Sequence, residues 1–123
     1  MLYAILCYDS EAVVGAWTKE QDAAVLAKLA VVRENLGREG RLGPVARLMP
    51  TTSAVTIRKG KEPVVLDGPF AETKEQLLGI YMVECASLDQ AIDAAKDLAR
   101  ASSSAGAYEV RPLRLYQPSQ LAP

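Results

Sequence analysis

The amino-acid sequence predicts an α+β fold, a ferredoxin-like split βαβ subunit whose antiparallel sheet carries two helices on one face. Three observations predict it. Two stretches with apolar residues at helical spacing each open on a capping-box pattern, Thr18-Lys-Glu-Gln21 and Ser87-Leu-Asp-Gln90. Short apolar runs surround them, in the order strand, helix, strand, strand, short strand, strand, helix, strand. One run, "LLGIYMVEC" from Leu77 to Cys85, is apolar on both faces, as a strand covered on both sides would be.

The elements follow in order. Leu2 to Tyr8 is short, apolar and closed by Asp-Ser-Glu, which predicts a first strand. After Thr18, Val25, Leu29, Val32 and Leu36 recur at helical intervals, and Lys28, Arg33, Glu34 and Arg38 take the polar surface. The helix is expected to end near Gly37 or Gly40. Arg41 to Met49 and Ser53 to Arg58 read as two strands joined hairpin-fashion across Pro50 and two threonines, with Pro44 placing the first at an edge. Lys59-Gly-Lys-Glu is a turn, and Val64 to Leu66 a short extra strand. Gly79 inside the doubly apolar run predicts a bulge or a close backbone approach. Ser87 opens the second helix, with Leu88, Ala91, Ile92, Ala95, Leu98 and Ala99 as its stripe. "SSSAG" is a loop, and Tyr108 to Tyr116 a last strand in which Pro112 points to an edge or a bulge.

Strand patterning has a consequence for assembly. Leu78, Ile80 and Met82 fall on one face and Leu77, Tyr81 and Val83 on the other. Two helices cover only one face of the sheet. A second copy packed sheet to sheet would cover the other, so a barrel-like homodimer is expected.

Size and composition bound the rest. The chain has 123 residues, 50% of them hydrophobic, which suits one domain spanning residues 1–123. With 14 basic and 15 acidic residues and no long block of one sign, a nucleic-acid partner is not expected. No apolar run reaches the roughly 20 residues that span a bilayer, so no membrane role is expected. The opening "MLYAILCYDSE" lacks the basic start of a signal peptide. Cys7 and Cys85 both lie in apolar strand-like runs and read as free thiols of a cytoplasmic protein.

The stretch "VVLDGPFAETKEQ", Val64 to Gln76, is the least ordinary in the sequence. Asp67-Gly68 after an apolar strand signals a turn, and Pro69 stiffens it. In a structural reading Phe70, the one phenylalanine, pins this corner to the core, and Glu72 pairs with Lys74. In a functional reading the corner presents Asp67, Glu72, Lys74 and Glu75 together at a sheet edge, where a carboxylate can serve as acid or base. Thr73 to Gln76 has capping-box spacing, but the strand-like run behind it argues against a helix.

"DGPFAETKE" followed by "GIYMVE", then "SLDQAIDAA" and "YEVRPL", resembles the YCII-related family, in the branch named for its Asp-Gly-Pro-Phe motif. The likeness runs from "LYAILCYDSE" to "EVRPL". It implies a dimeric α+β barrel of ferredoxin-like subunits. Relatives resemble small-molecule enzymes acting on ring compounds, a dehydrochlorinase among them, and others occur beside alternative sigma factors. The resemblance therefore implies either a small-molecule-binding protein or a non-catalytic module associated with transcription control. A histidine and an aspartate are the suggested catalytic pair of the family. This chain has no histidine, so only the aspartate, matched by Asp67, carries over as a catalytic candidate. Gly68, Pro69, Phe70, Glu72, Lys74 and Glu75 match the motif, and Arg111 matches the arginine before proline near the end.

Other chemistries fall away. Without histidine, Ser-His-Asp and Cys-His catalysis in their usual forms are excluded, and the commonest zinc ligand is missing. Two distant cysteines make no zinc-finger pattern, which leaves only a carboxylate site such as Asp67 with Glu72 for a metal. No strand leads into a glycine-rich phosphate loop, so no cofactor is expected. Trp17, just before Thr18, either staples the helix start or lines a pocket, and the staple is the favoured reading. Arg111 is read first as a partner for a carboxylate of a neighbouring strand or subunit, such as Glu109, and second as a clamp for an anionic ligand. The sequence thus points to a polar cleft bordered by Asp67, Glu72, Lys74 and Arg111, taking a small polar or aromatic ligand.

Overall fold

The computed structural model describes residues 1–122. Six strands run as β1 (Leu2–Asp9), β2 (Leu42–Arg47), β3 (Val55–Arg58), β4 (Val64–Asp67), β5 (Gln76–Glu84) and β6 (Ala107–Pro112). Three helices join them: α1 (Glu11–Gly15), α2 (Lys19–Arg38) and α3 (Leu88–Ala101). Four strands form one antiparallel sheet in the order β2-β5-β1-β6, with α2 and α3 packed on it. With β3 and β4 set aside, the order and connections are those of the ferredoxin-like fold.

Both long helices start where their caps are written. Thr18 Oγ1 accepts the Gln21 N–H at 3.1 Å, and Gln21 Oε1 accepts the Thr18 N–H at 2.9 Å, a complete capping box. At α3 only half of the box forms. Ser87 Oγ accepts from the Gln90 N–H, while Gln90 Oε1 reaches past it to the Ala86 N–H at 2.7 Å. α2 runs through Gly37, and the left-handed residue after its end is Gly40, with φ of 69°. α1 was not expected. Its five residues are too few to show a period, and its start is fixed by Ser10 Oγ accepting from Val13 N–H.

The core lies between the helices and one face of the sheet. Ile5, Val83 and Leu98 are fully buried and Cys85 nearly so, with Tyr3, Tyr81, Leu36 and the α3 alanines 91, 94 and 95 around them. Alanine in that stripe lets α3 sit close to the sheet. Leu88 does not join the stripe; it is half exposed at the first position of α3.

Three further expectations are corrected. β2 and β3 form no hairpin; a 3-10 turn at Thr51–Ser53 separates them, and β3 pairs with β4 as a separate two-stranded ribbon. β2 is an edge strand, as Pro44 leads one to expect, and its register with β5 is broken between Leu42 and Val45. The last strand stops at Pro112, well short of Tyr116, which is exposed outside any strand. Finally, Leu78 leaves the row of Ile80 and Met82. Cys7 pairs with Gly79 and Tyr8 with Leu77, so Leu78 is the extra residue of a bulge. Gly79 is required at that point, since a Cβ there would meet the Ala46 carbonyl oxygen at 2.9 Å.

The other sheet face, bearing Ala4, Leu6, Ile80 and Met82, is only half buried. The ribbon is more open still. Val55, Ile57, Val65 and Leu66 are all exposed.

Candidate ligand-binding site

A cavity of ≈ 200 Å³ lies under α2, against the helix-covered face of the sheet. Its walls come from stretches far apart in sequence. The end of β1 gives Cys7, Tyr8 and Asp9; α2 gives Asp22, Val25, Leu26, Leu29 and Arg33; β2 gives Val45 to Arg47. β5 gives Leu78, Gly79 and Tyr81, and β6 gives Ala107 and Tyr108, with Ser102 and Ser104 from the loop after α3. Residues 22, 25, 26, 29 and 33 repeat at helical spacing, so they share one face of α2. Room exists because small side chains meet here: Ala46, Gly79, Ala99, Gly106 and Ala107. The bulge at Leu78 turns that side chain into the wall.

Trp17 also lines the cavity. The staple favoured from the sequence has no apolar partner, because the fourth residue of α2, where a staple would find one, is Asp22.

Polar groups are few and specific. Asp22 is held by Arg47 at 2.9 Å, an ion pair joining the first turn of α2 to the end of β2. Asp9 Oδ1 accepts from the Ser10 N–H at 2.8 Å. Arg33 is half buried and, among the described residues, has no carboxylate within ion-pair reach. It sits against Tyr81, whose hydroxyl is pushed above its ordinary pKa by burial and by Cys7, and pulled the other way by the Arg33 guanidinium. Burial also raises Tyr108, with Cys7, Tyr81 and Asp9 adding to the rise and Ser102 opposing it. The Cys7 thiol is pushed up to about 12 by burial. All three groups therefore keep their protons at neutral pH. A protonated thiol is a poor nucleophile, and each of the three groups can donate a hydrogen bond.

A second groove between α2 and α3 is lined by Glu39, Arg41, Asp93, Asp97 and Arg100. Its arginines are already paired, Arg41 with Glu39 at 2.7 Å and Arg100 with Asp97 at 3.2 Å.

The residues singled out from the sequence stand elsewhere. Asp67, Glu72, Lys74, Glu75 and Arg111 are exposed, and none lines either cavity. Glu72 and Lys74 form no ion pair with each other. Asp67 ends β4 opposite Val55, and Gly68 turns the chain with φ of 90°. The turn is locked by Gly68 N–H to Ala54 O and Thr56 Oγ1 to Gly68 O, both 2.8 Å. Phe70 does not pin the corner to the core; it is 77% exposed. Thr73 to Gln76 forms no helix. Thr73 Oγ1 instead donates to Glu75 O, and Gln76 Nε2 donates to Thr73 O. Gln76 Oε1 then accepts from the Glu11 N–H, and Glu11 binds the Thr51 N–H and hydroxyl, which ties the segment to α1 and to the base of the ribbon. Arg111 lies on edge strand β6 opposite Ala4 and makes no ion pair with Glu109. The two cysteines are free. Among the described residues there is no cluster suited to a metal ion, and no helix is long and apolar enough to cross a membrane.

Comparison with known proteins agrees with the family resemblance. Residues 1–117 match the YCII-related domain family. The chain is 57% identical over 122 residues to an uncharacterized protein of Rhizobium meliloti (strain 1021), covering 98% of both chains.

Proposed function

The chain belongs to the YCII-related domain family, and from that premise we propose that it is a small-molecule-binding protein whose site is the cavity beneath α2. The observation that carries this reading is a walled space of ≈ 200 Å³ with an apolar lining and a few protonated donors inside. Ligand sites have that character, mostly apolar with a few placed polar groups. The Asp67–Phe70 turn supports placing the chain in the branch named for that motif. Acid–base chemistry through Asp67 has less support, because Asp67 lines neither of the two cavities described above.

Phenol, neutral and one ring in size, is a suitable probe. Titrated into isotopically labelled protein, it is expected to move the resonances of Trp17, Leu26 and Leu29. Leu26→Trp, which fills the cavity, should abolish the shifts, and Asp67→Asn should leave them in place. Shifts confined to the surroundings of Asp67, Glu72 and Lys74 would put the site at the turn instead and sink the cavity reading.

A second reading concerns association. Val55, Ile57 and Val65 share one face of the ribbon and are 55% to 66% exposed, and the sheet face away from the helices is half open. We propose that a second copy covers both, as a homodimer. A stable interface buries on the order of 800 Å² per partner, so ribbon and sheet face are expected to take part together. The exposed turn at Asp67 then serves association, as an interaction module would. Sedimentation at micromolar concentration tests it: a dimer is expected, and a monomer at all concentrations would rule it out.

A further inference from the structure

We infer that the cavity beneath α2 takes a small carboxylate of one-ring bulk, its charged end held by Arg33 and its body by Trp17, Leu26 and Leu29. The inference rests on the reading of that cavity as the ligand site and adds the ligand's chemistry to it.

Charge is the first argument. Arg33 is the one half-buried arginine among the described residues without an ionic partner; Arg41, also half buried, is paired with Glu39. A guanidinium kept partly out of water without a counter-charge is costly, and an anion that enters with the ligand removes the cost. The acids nearby are already engaged. Asp22 is held by Arg47, and Asp9 by the Ser10 N–H.

Hydrogen bonding is the second. Tyr81 and Tyr108 line the same cavity and keep their protons at neutral pH. A hydroxyl resting against Arg33 has its own proton free to give to a carboxylate oxygen. An arginine fork with neutral donors beside it matches a planar monoanion. A dianionic phosphate would leave uncompensated charge in the same space.

Size is the third. A cavity of about 150 Å³ holds benzene. The space here, ≈ 200 Å³, admits one ring with a small substituent and little more.

Calorimetric titration of the full chain with sodium benzoate, benzamide and inorganic phosphate tests the inference. Benzoate is expected to bind at least tenfold tighter than its neutral counterpart benzamide, and phosphate more weakly than either. Arg33→Gln should bring benzoate down to the level of benzamide while benzamide is unchanged, and Arg33→Lys should restore part of the preference. Equal binding of benzoate and benzamide to the unaltered protein would overturn the anion assignment and leave the cavity reading standing. Phosphate bound as tightly as benzoate would overturn the carboxylate class. If neither aromatic probe binds, and phenol leaves the cavity resonances unmoved, the cavity reading itself fails and the inference with it.

Discussion

Arg47 and Asp22 meet at 2.9 Å, and through that contact the last residue of β2 is fastened to the first turn of α2 at the mouth of the cavity. The two side chains are 52% and 35% exposed, so water screens most of their attraction. Pairs of this kind contribute about 0.2–1 kcal/mol. Asp22→Asn is therefore expected to lower stability by less than about 1 kcal/mol in urea denaturation, with the loss shrinking at high salt. Its larger effect should be on access. Freed from Asp22, Arg47 becomes a second cation at the cavity mouth, and benzoate should bind faster in stopped-flow measurements.

Gly79 faces the Ala46 carbonyl so closely that any side chain displaces β2. Gly79→Ala is expected to destabilise by about 1–3 kcal/mol, the usual cost of overpacking. Because Ala46 and Arg47 lie against the cavity, the same substitution should also weaken phenol binding, read by the same resonance shifts. Gly60→Ala, in the open tip of the ribbon where the nearest atom lies 3.9 Å away, is the matched control and should do neither.

Stability should fall on the alkaline side. Burial raises the Cys7 thiol from 9.0 to about 12 and raises Tyr81 and Tyr108 above 10.0. Between the unfolded and folded values the unfolded chain binds fewer protons than the folded one, so unfolding becomes easier as pH rises. The contribution of Cys7 is whole below pH 9.0 and is lost as pH climbs toward about 12. Urea midpoints measured from pH 7 upward are expected to decline beyond pH 9. Cys7→Ala should flatten the early part of that decline and leave the later, tyrosine part.

Ile57 and Val65 sit opposite each other on the ribbon, 55% and 66% exposed. Charges placed there change folding of the single subunit by no more than about 0.5 kcal/mol, as at other surface positions. If a second copy covers the ribbon, Ile57→Asp with Val65→Lys should convert the sedimenting dimer to monomer while circular dichroism is unchanged. A dimer that survives the double substitution would move the interface off the ribbon.

The parts of this molecule that local sequence determines were legible. Thr18 and Ser87 announce their helices because a cap and the first turn lie within four residues. The doubly apolar run became β5, which lies between β1 and β2. Gly79 was readable as a close approach because glycine in a strand has few other uses. What was not legible depends on register and distance. The cavity joins Cys7, Arg33, Tyr81 and Tyr108, and nothing within any one stretch brings them together. Arg33 looked like part of a solvated helix surface. Its one signal is its place four residues after Leu29 and seven after Leu26, on the border of the apolar stripe. Phe70 misled because its rarity suggested a core anchor, whereas its position after a left-handed turn leaves it outside.

The ribbon also bears on how this architecture tolerates change. β2 and β5 are antiparallel neighbours, so the backbone that leaves one must only return beside it. Everything between Leu48 and Glu75 is an excursion between two fixed anchor points, and lengthening such an excursion costs only logarithmically in chain entropy. Related chains can therefore grow, shrink or rewrite this segment without renegotiating the four-stranded ladder. The segment can change there while the cavity under α2 stays as it is.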